Sequence, residues 1–143
     1  MKNLYTAHAT ATAGREGTVS TDDGQITEKL SRPGSGQPGT NPEQLFACGY
    51  AACFGSAVAA VAKSQKIELS SAPEVQAEVK LNQDDNNGYF ISAALNVTLP
   101  GMDAAAAQKL VEAAHQVCPY SKATRGNIEV KLSVNQNPLK AAA

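Results

Sequence analysis

Three cysteines are the residues of this sequence with the most obvious capacity for chemistry. Cys48 and Cys53 lie in the stretch NPEQLFACGYAACF (41–54), and Cys118 opens the stretch CPYS. On an ideal helix, a spacing of five residues places Cys48 and Cys53 about 140° apart around the axis, so they cannot form a disulfide within that helix. For each of them, the default interpretation is a small buried hydrophobe.

Cys118 has a different setting, because Pro follows it at the mouth of a predicted short helix. A cysteine at a helix N-terminus gains thiolate character from the backbone N–H groups, and this argument alone favours Cys118 as the more reactive thiol. The alternative is a turn cysteine without a role. Sequence separation leaves open whether Cys53 and Cys118 meet in space.

Arg15 is a candidate cation for activating a thiol, since it stands in AGREG, a bend flanked by glycines. Its default interpretation is an ordinary surface turn residue. A carboxylate such as Glu43 could hold the guanidinium group by two parallel hydrogen bonds. Glu43 also lies in the first turn of a predicted helix, where a negative charge is favourable.

Other kinds of site find little support. His8 and His115 are the two histidines, and neither belongs to a zinc-ligand spacing with the cysteines. We expect His115 to be solvated on the polar flank of its helix. The sequence contains neither the G-x-S-x-G of a serine hydrolase nor a phosphate-binding loop.

The pattern of apolar residues predicts an α+β domain that spans residues 1–143. The order is a β-rich region with a DDG turn, a Pro/Gly loop, a long helix capped by Thr40 or Asn41, a hairpin, a second helix, a turn or short helix, and a last strand. We see no βαβ alternation. The predicted ranges are 4–32, 32–40, about 42–63, 74–99, about 103–117, 118–126 and 127–134, with a frayed end at 139–143.

The long helix is apolar on nearly every side, which predicts burial all round and a second subunit that helps to cover it. The second helix is predicted to use Leu110, Val111, Ala114 and Val117 as its apolar stripe.

Charge and hydropathy exclude several partners. The net charge of −1 leaves no basic surface for nucleic acid or anionic lipid. The N-terminus has no apolar signal region, and the lengths of the apolar runs predict that none of them spans a membrane. We therefore expect a cytoplasmic protein, in which a disulfide is more often transient or catalytic than structural.

Two long segments, GTNPEQLFACGYAACF and CPYSKATRGNIEV, resemble the signature segments of the organic hydroperoxide resistance family. This family is part of the superfamily of the osmotically inducible protein C. The AGREG arginine and the DGQ turn fit the resemblance, which covers essentially the whole chain. The form CPYS favours the hydroperoxide-resistance branch.

The resemblance implies a cysteine-based peroxidase for organic hydroperoxides. Cys53 would be the peroxidatic cysteine and Cys118 the resolving one. Arg15 would stabilise the Cys53 thiolate and polarise the peroxide, and Glu43 would hold Arg15. Cys48 departs from the family, which usually has alanine there.

The resemblance also implies an intertwined homodimer, with antiparallel sheets wrapped around two long central helices. Neither metal nor flavin would be needed, and the reductant would be a dihydrolipoamide group on a lipoylated protein. Apolar side chains near Cys53 would favour organic over hydrogen peroxide; the candidates are Phe46, Tyr50 and Phe54. A redox sensor or small-ligand-binding stress protein that uses the same disulfide, and a structural protein with inert thiols, remain the alternatives.

Glu43 and Cys53 are ten residues apart, about 15 Å along a straight helix. A site that contains both therefore requires either a break near Gly49 or a Glu43 that reaches the Cys53 of a second subunit. Antiparallel central helices favour the second arrangement, a composite site shared by two chains.

Overall fold

Two β-sheets and three α-helices form the fold of residues 1–139, which are the residues that the computed structural model describes. The predicted α+β class is confirmed. The fraying expected at 139–143 does not apply to Leu139, whose N–H donates to the Leu132 carbonyl oxygen at 2.8 Å. Residues 140–143 lie outside the described part of the chain. The chain divides into two compact units, Met1–Leu45 and Phe46–Ala143.

The first unit carries a three-stranded antiparallel sheet in the order β1-β2-β3. Its strands are short and rich in Thr, and a 3₁₀ turn at Gly14–Glu16 connects the first two. The DDG segment forms the predicted turn, since the side chain of Asp23 accepts hydrogen bonds from Thr21 and from the Gln25 N–H. Most side chains of this sheet are exposed, so it has no apolar core of its own. The strand bounds are β1 Ala9–Thr12, β2 Thr18–Thr21 and β3 Thr27–Lys29.

Helix α1 runs without a break from Pro42 to Ser64. Of the two predicted caps, Asn41 is the one used, because its Oδ1 accepts the Gln44 N–H at 2.8 Å. Proline occupies the first helical position, as its missing N–H allows. The break near Gly49 that the sequence left open does not occur.

One side of α1 faces the core and the other does not. Tyr50, Phe54 and Val58 are fully buried, whereas Cys48 and Ala52 are exposed. The single chain therefore does not bury this helix all round. By length and composition, α1 is also long and apolar enough to cross a membrane, so the prediction from the apolar runs is wrong on this point. The core helix of a soluble protein passes the same test.

The second sheet has the strand order β4-β5-β6-β7. The predicted hairpin is confirmed, with β4 and β5 antiparallel around the turn at 84–88. The expectation of antiparallel sheets is wrong for one pair, since β5 and β6 are parallel. The connection between them contains two helices and is long enough to return the chain to the same end of the sheet, so a crossover unit exists here. The bounds are β4 Glu74–Gln83, β5 Tyr89–Thr98, β6 Val130–Val134 and β7 Asn137–Pro138, the last of which was not predicted.

Helix α2 spans Ala104–Val117, and the predicted cap is confirmed because Asp103 accepts the Ala106 N–H. Helix α3 spans Pro119–Thr124. Two predictions about α2 are wrong. Val117 is 58% exposed because it ends the helix, and His115 is only 2% exposed, because it lies four residues after buried Val111 on the core face.

The core of the second unit is formed by α1, α2, β5 and β6. Alternate residues of β5 point into it, as the period of two in the sequence predicted. Its largest fully buried side chains include Tyr50, Phe54, Leu95 and Leu110.

A matched pair of leucines in the hairpin tests this core. Leu95 is 1% exposed and Leu81 is 48% exposed. We expect Leu95→Ala to lower the free energy of unfolding by about 2–5 kcal/mol and Leu81→Ala to lower it by less than about 1 kcal/mol, since only the first leaves a cavity. Urea denaturation at equal chain concentration measures both. Equal losses would show that Leu81 is covered in solution.

Candidate active site

Cys53 and Cys118 are in contact, with 3.6 Å between their Sγ atoms. Cys53 is partly buried on α1, and Cys118 is fully buried between α2 and α3. Both are free thiols. Closing the gap to the bond length of a disulfide requires a movement of about 1.5 Å. Cys48 is exposed on another side of α1, as the helical angle predicted.

Cys118 is held by the backbones of two helices. Its N–H donates to the carbonyl oxygen of Ala114 at the end of α2, and its own carbonyl oxygen accepts the Lys122 N–H in α3, both at 2.9 Å. The same residue is therefore the C-cap of α2 and the N-cap of α3. Pro119 favours this arrangement because it has no N–H to satisfy in the first turn. The position of the Cys118 thiol thus depends on the angle at which α2 meets α3.

Three aromatic side chains from the same segments of α1 and α3 pack against one another. Phe46, Tyr50 and Tyr120 have ring centroids 5.7–5.9 Å apart. Gly49 fits this packing, since a Cβ at that position would lie 2.6 Å from the Tyr120 Oη and the ring would have to shift. Of the three predicted apolar neighbours of Cys53, Tyr50 and Phe54 are fully buried core residues, whereas Phe46 is only partly buried.

The local surroundings of Cys53 do not by themselves favour its thiolate. Burial raises the pKa of the Cys53 thiol, and the neighbouring Cys118 thiol raises it further, while a hydrogen bond from the Tyr120 backbone N–H acts in the opposite direction. The net effect raises this pKa above the ordinary value. A positive charge near Cys53 would act against this shift and favour the thiolate.

The first unit contains a preorganised positive charge. Arg15 donates two hydrogen bonds to Glu43, from Nη1 to Oε2 at 2.8 Å and from Nη2 to Oε1 at 2.6 Å. This pairing raises the pKa of Arg15 and lowers that of Glu43. The two-bonded geometry fixes the plane and direction of the guanidinium group. The sequence prediction that Glu43 could hold Arg15 agrees with this contact.

The four predicted site residues thus form two pairs. Cys53 contacts Cys118 in one unit, and Arg15 contacts Glu43 in the other. The resemblance implied the Cys53–Cys118 pair, whereas the residues themselves had already suggested that a carboxylate such as Glu43 could hold Arg15. Their union in one catalytic site stays a prediction.

Sequence reasoning missed a buried polar cluster behind the thiols. The Tyr50 hydroxyl lies 3.0 Å from the Ser121 Oγ and 3.1 Å from the Thr124 Oγ1, and the His115 Nδ1 lies 2.9 Å from the same Ser121 Oγ. Burial lowers the pKa of His115, and the positive charge of Arg125 lowers it further. The sequence signal that could have predicted the burial of His115 is its position four residues after the apolar Val111, on the same face of the helix.

The described residues contain no group of three or more His, Cys, Asp and Glu side chains that could hold a metal ion. The chemistry that the geometry allows is that of two adjacent thiols, which can cycle between a dithiol and a disulfide.

A sequence model of the OsmC-like protein family matches residues 34–133. The chain belongs to this family. It is 52% identical over 137 residues to the organic hydroperoxide resistance protein of Xanthomonas axonopodis pv. citri, covering 93% of this chain and 96% of that protein. It is also 50% identical over 135 residues to the organic hydroperoxide resistance protein OhrB of Bacillus subtilis, covering 92% of this chain and 98% of OhrB.

Solved structures agree with this family assignment. The crystal structure of B. subtilis OhrB matches this OsmC-like protein with a TM-score of 0.87 and 48% identity, over 92% of this chain and 99% of the other. A Vibrio cholerae organic hydroperoxide resistance protein, described with captopril in one of its active sites, matches with a TM-score of 0.90 and 45% identity, over 97% of both chains. The resemblance drawn from the two sequence segments is confirmed.

The Arg15–Glu43 pair makes stability depend on pH in a defined direction. Because the pKa of Glu43 is lowered on folding, the pair stabilises the protein above the unfolded carboxyl pKa of about 4.3, and this contribution is lost as the pH falls through the folded value. We expect Arg15→Gln to lose less free energy of unfolding than the unaltered protein between about pH 7 and about pH 3. Denaturation curves across this range measure the difference.

Arg32→Gln is the matched control, since Arg32 pairs with Glu16 at 3.0 Å but both side chains are well exposed. An exposed pair contributes little, so this variant should follow the unaltered protein. An acid-induced loss in Arg15→Gln as large as in the unaltered protein would contradict the prediction.

Proposed function

We propose that this OsmC-like protein is a thiol-dependent peroxidase that reduces organic hydroperoxides to alcohols. The observation that carries the proposal is the 3.6 Å contact between the Cys53 and Cys118 Sγ atoms. Two thiols in contact can accept an oxidising equivalent and store it as a disulfide. The names of the relatives supply the substrate class, organic hydroperoxides.

In the first step, the Cys53 thiolate attacks one oxygen of the peroxide bond of R–OOH. The O–O bond breaks, Cys53 becomes a sulfenic acid, and the alkoxide leaves as R–OH after it takes up a proton. We assign Cys53 to this role because it is partly accessible, whereas Cys118 is fully buried. This accessibility outweighs the position of Cys118 at the mouth of α3, which by itself favoured Cys118.

Arg15 is the proposed source of the positive charge that this step requires. The surroundings of Cys53 raise the pKa of its thiol, so few molecules carry the thiolate at neutral pH without a cation. A guanidinium group whose direction is set by Glu43 would stabilise the thiolate and the charge that develops on the peroxide oxygens.

In the second step, the Cys118 thiol attacks the sulfur of the Cys53 sulfenic acid. The S–S bond forms and water leaves, which protects Cys53 from a second oxidation. An external dithiol of the dihydrolipoamide type then restores both thiols by exchange and becomes a disulfide itself. The proposed place of this cycle is the cytoplasm, where reduced dithiols are maintained.

The preference for organic over hydrogen peroxide is proposed to come from aromatic side chains. Phe46 and Tyr120 are the rings of the cluster that retain exposure, and they pack against each other at 5.9 Å. An alkyl chain that packs on these rings would bury apolar surface, and this burial would stabilise the bound organic hydroperoxide. Hydrogen peroxide has no apolar group and would gain nothing from the same surface.

The site is proposed to be composite and formed by a homodimer. Because α1 is unbroken, Glu43 and Cys53 of one chain are separated by about 15 Å along the helix axis. Arg15 and Glu43 of one subunit would therefore face Cys53 of the other. The exposed side of α1 and the coreless first sheet are the surfaces that a second subunit would cover.

The three cysteines provide a matched set for testing the mechanism. We expect Cys53→Ser to lower turnover of tert-butyl hydroperoxide with dihydrolipoamide by at least about 10³-fold and to form no sulfenic acid. Cys118→Ser should still form the sulfenic acid at Cys53 but accumulate it. The measurements are steady-state peroxide consumption and sulfenic-acid trapping followed by mass spectrometry.

Cys48→Ser is the control, since Cys48 is exposed and faces away from the thiol pair, and its turnover should match that of the unaltered protein. If Cys53→Ser still consumes peroxide and the sulfenic acid appears at Cys118, the two roles are reversed. A protein that forms the disulfide but turns over no peroxide would instead be a redox sensor.

Mixed dimers test the composite site. Arg15→Gln and Cys53→Ser chains should each be inactive alone, but a mixed dimer has one site with both native residues if the site is shared. Random pairing of equal amounts should then restore about a quarter of the unaltered activity, because half of the dimers are mixed and each has one intact site. Co-expression with two affinity tags isolates the mixed species. No recovery would place Arg15 and Cys53 of each site in one chain.

A further inference from the structure

The buried cluster behind the thiols forms a directed chain of hydrogen bonds. Thr124 donates its single hydroxyl proton to the Ser121 carbonyl oxygen at 3.2 Å. In the arrangement that uses this bond, Tyr50 donates to Thr124 and accepts from the Ser121 hydroxyl, and Ser121 accepts from the His115 Nδ1–H. This assignment follows from the network and satisfies every hydroxyl group in it.

The chain joins the three helices that carry the two thiols. Tyr50 lies on α1, His115 lies on α2, and Ser121 and Thr124 lie on α3. The Ser121 hydroxyl is the junction, because it contacts both Tyr50 and His115. All four residues are buried, so water does not compete for the hydrogen bonds between them.

The polar link runs beside the thiol contact in matching positions. Tyr50 precedes Cys53 by three residues on α1, and Ser121 follows Cys118 by three residues on α3. Residues three apart lie on the same side of a helix, one turn away from each other. Two bridges therefore connect α1 to α3, one of sulfur atoms at 3.6 Å and one of hydroxyl groups at 3.0 Å.

A second contact fixes the turn that contains Cys118. Arg125, just after α3, donates from its Nη2 to the carbonyl oxygen of His115 in the last turn of α2. A cation at this end of a helix also interacts favourably with the helix dipole. Together with the Ser121–His115 bond, it gives two side-chain links between α2 and the residues that follow Cys118.

We infer that Tyr50 and Ser121 are positioning residues for the resolving step: their buried hydroxyl link to His115 holds the Cys118 thiol against Cys53. The inference rests on the proposed function and deepens it. Among the described residues, the hydrogen-bond partners of these two hydroxyl groups are Thr124, His115 and each other, and neither thiol is among them, so both act through the placement of α3.

The consequence is kinetic. After the first oxidation, Cys53–SOH reacts either with Cys118–SH, giving the disulfide and water, or with a second R–OOH, giving Cys53–SO₂H and R–OH. The first reaction depends on the distance between two groups of the same molecule, and a small misplacement slows such a step strongly. A looser α3 therefore shifts the outcome from the disulfide to the sulfinic acid.

Tyr50→Phe is the deciding variant, because it removes one buried hydroxyl and keeps the ring. Reduced protein is mixed rapidly with one equivalent of organic hydroperoxide, and the rates of sulfenic acid and disulfide formation are followed by quenching and mass spectrometry. We expect sulfenic acid formation to change less than about twofold and disulfide formation to slow about tenfold, with a matching rise in sulfinic acid under excess hydroperoxide. Ser121→Ala should behave in the same way.

Two controls separate positioning from general destabilisation. Tyr89→Phe removes a hydroxyl from a tyrosine that is 73% exposed. Val97→Ala opens a cavity in β5 opposite Val134, which ends β6, whereas α3 precedes the start of β6. Neither should change the ratio of the two rates. A ratio in Tyr50→Phe within about twofold of the unaltered protein, or an equal fall in Val97→Ala, would overturn the inference.

A peroxide-free measurement keeps this result distinct from the proposed function. Equilibration in mixtures of reduced and oxidised dihydrolipoamide reports how readily Cys53 and Cys118 form their disulfide. A tenfold loss of effective thiol concentration in Tyr50→Phe corresponds to a shift of about 30 mV toward easier reduction. If the unaltered protein does not react with organic hydroperoxide, the proposed function is wrong. If Tyr50→Phe leaves the reduction potential of the Cys53–Cys118 disulfide unchanged, the positioning role is wrong.

Discussion

The contact between α1 and the turn at Cys118 is the constraint on which the rest of the second unit depends. It brings two thiols to 3.6 Å although they come from distant parts of the chain. The turn cannot move alone, because Cys118 ends α2 and begins α3. The same two helices form the connection between β5 and β6, which is long enough for these strands to pair in parallel. The packing of these helices and the hydrogen bonds between them thus determine where the two sulfur atoms lie.

Electrostatics divides the proposed catalytic work between the two units. Burial beside Cys118 holds the two thiols close but raises the pKa of Cys53, which opposes the reactive thiolate. The Arg15–Glu43 pair supplies an oriented cation in the other unit. Such a division has a physical benefit, because a thiol that is activated only in the assembled site stays less reactive elsewhere.

Surface properties support the same view. The first sheet has no apolar core, and α1 leaves Cys48 and Ala52 exposed. An exposed apolar helix surface and an uncovered sheet of this kind are commonly covered by another subunit. Cys48 lies on that side of α1, so a partner would also limit its oxidation. The helix passes a test of length and composition for membrane spans, but its buried side includes the Tyr50 hydroxyl and its hydrogen bonds, which a core position explains.

The sequence by itself determined the elements and the chemistry of their residues. The cap and proline at the start of α1, the period of two in β5 and the Asp103 cap of α2 are local signals, and each predicted its element correctly. The two long signature segments determined the family and the candidate cysteines. Only the tertiary structure decided that Cys53 contacts Cys118, that β5 and β6 are parallel and that His115 is buried. These features depend on which surfaces meet after the chain has turned back on itself. No local propensity encodes such a meeting, because its free energy comes from packing between segments that are far apart in sequence.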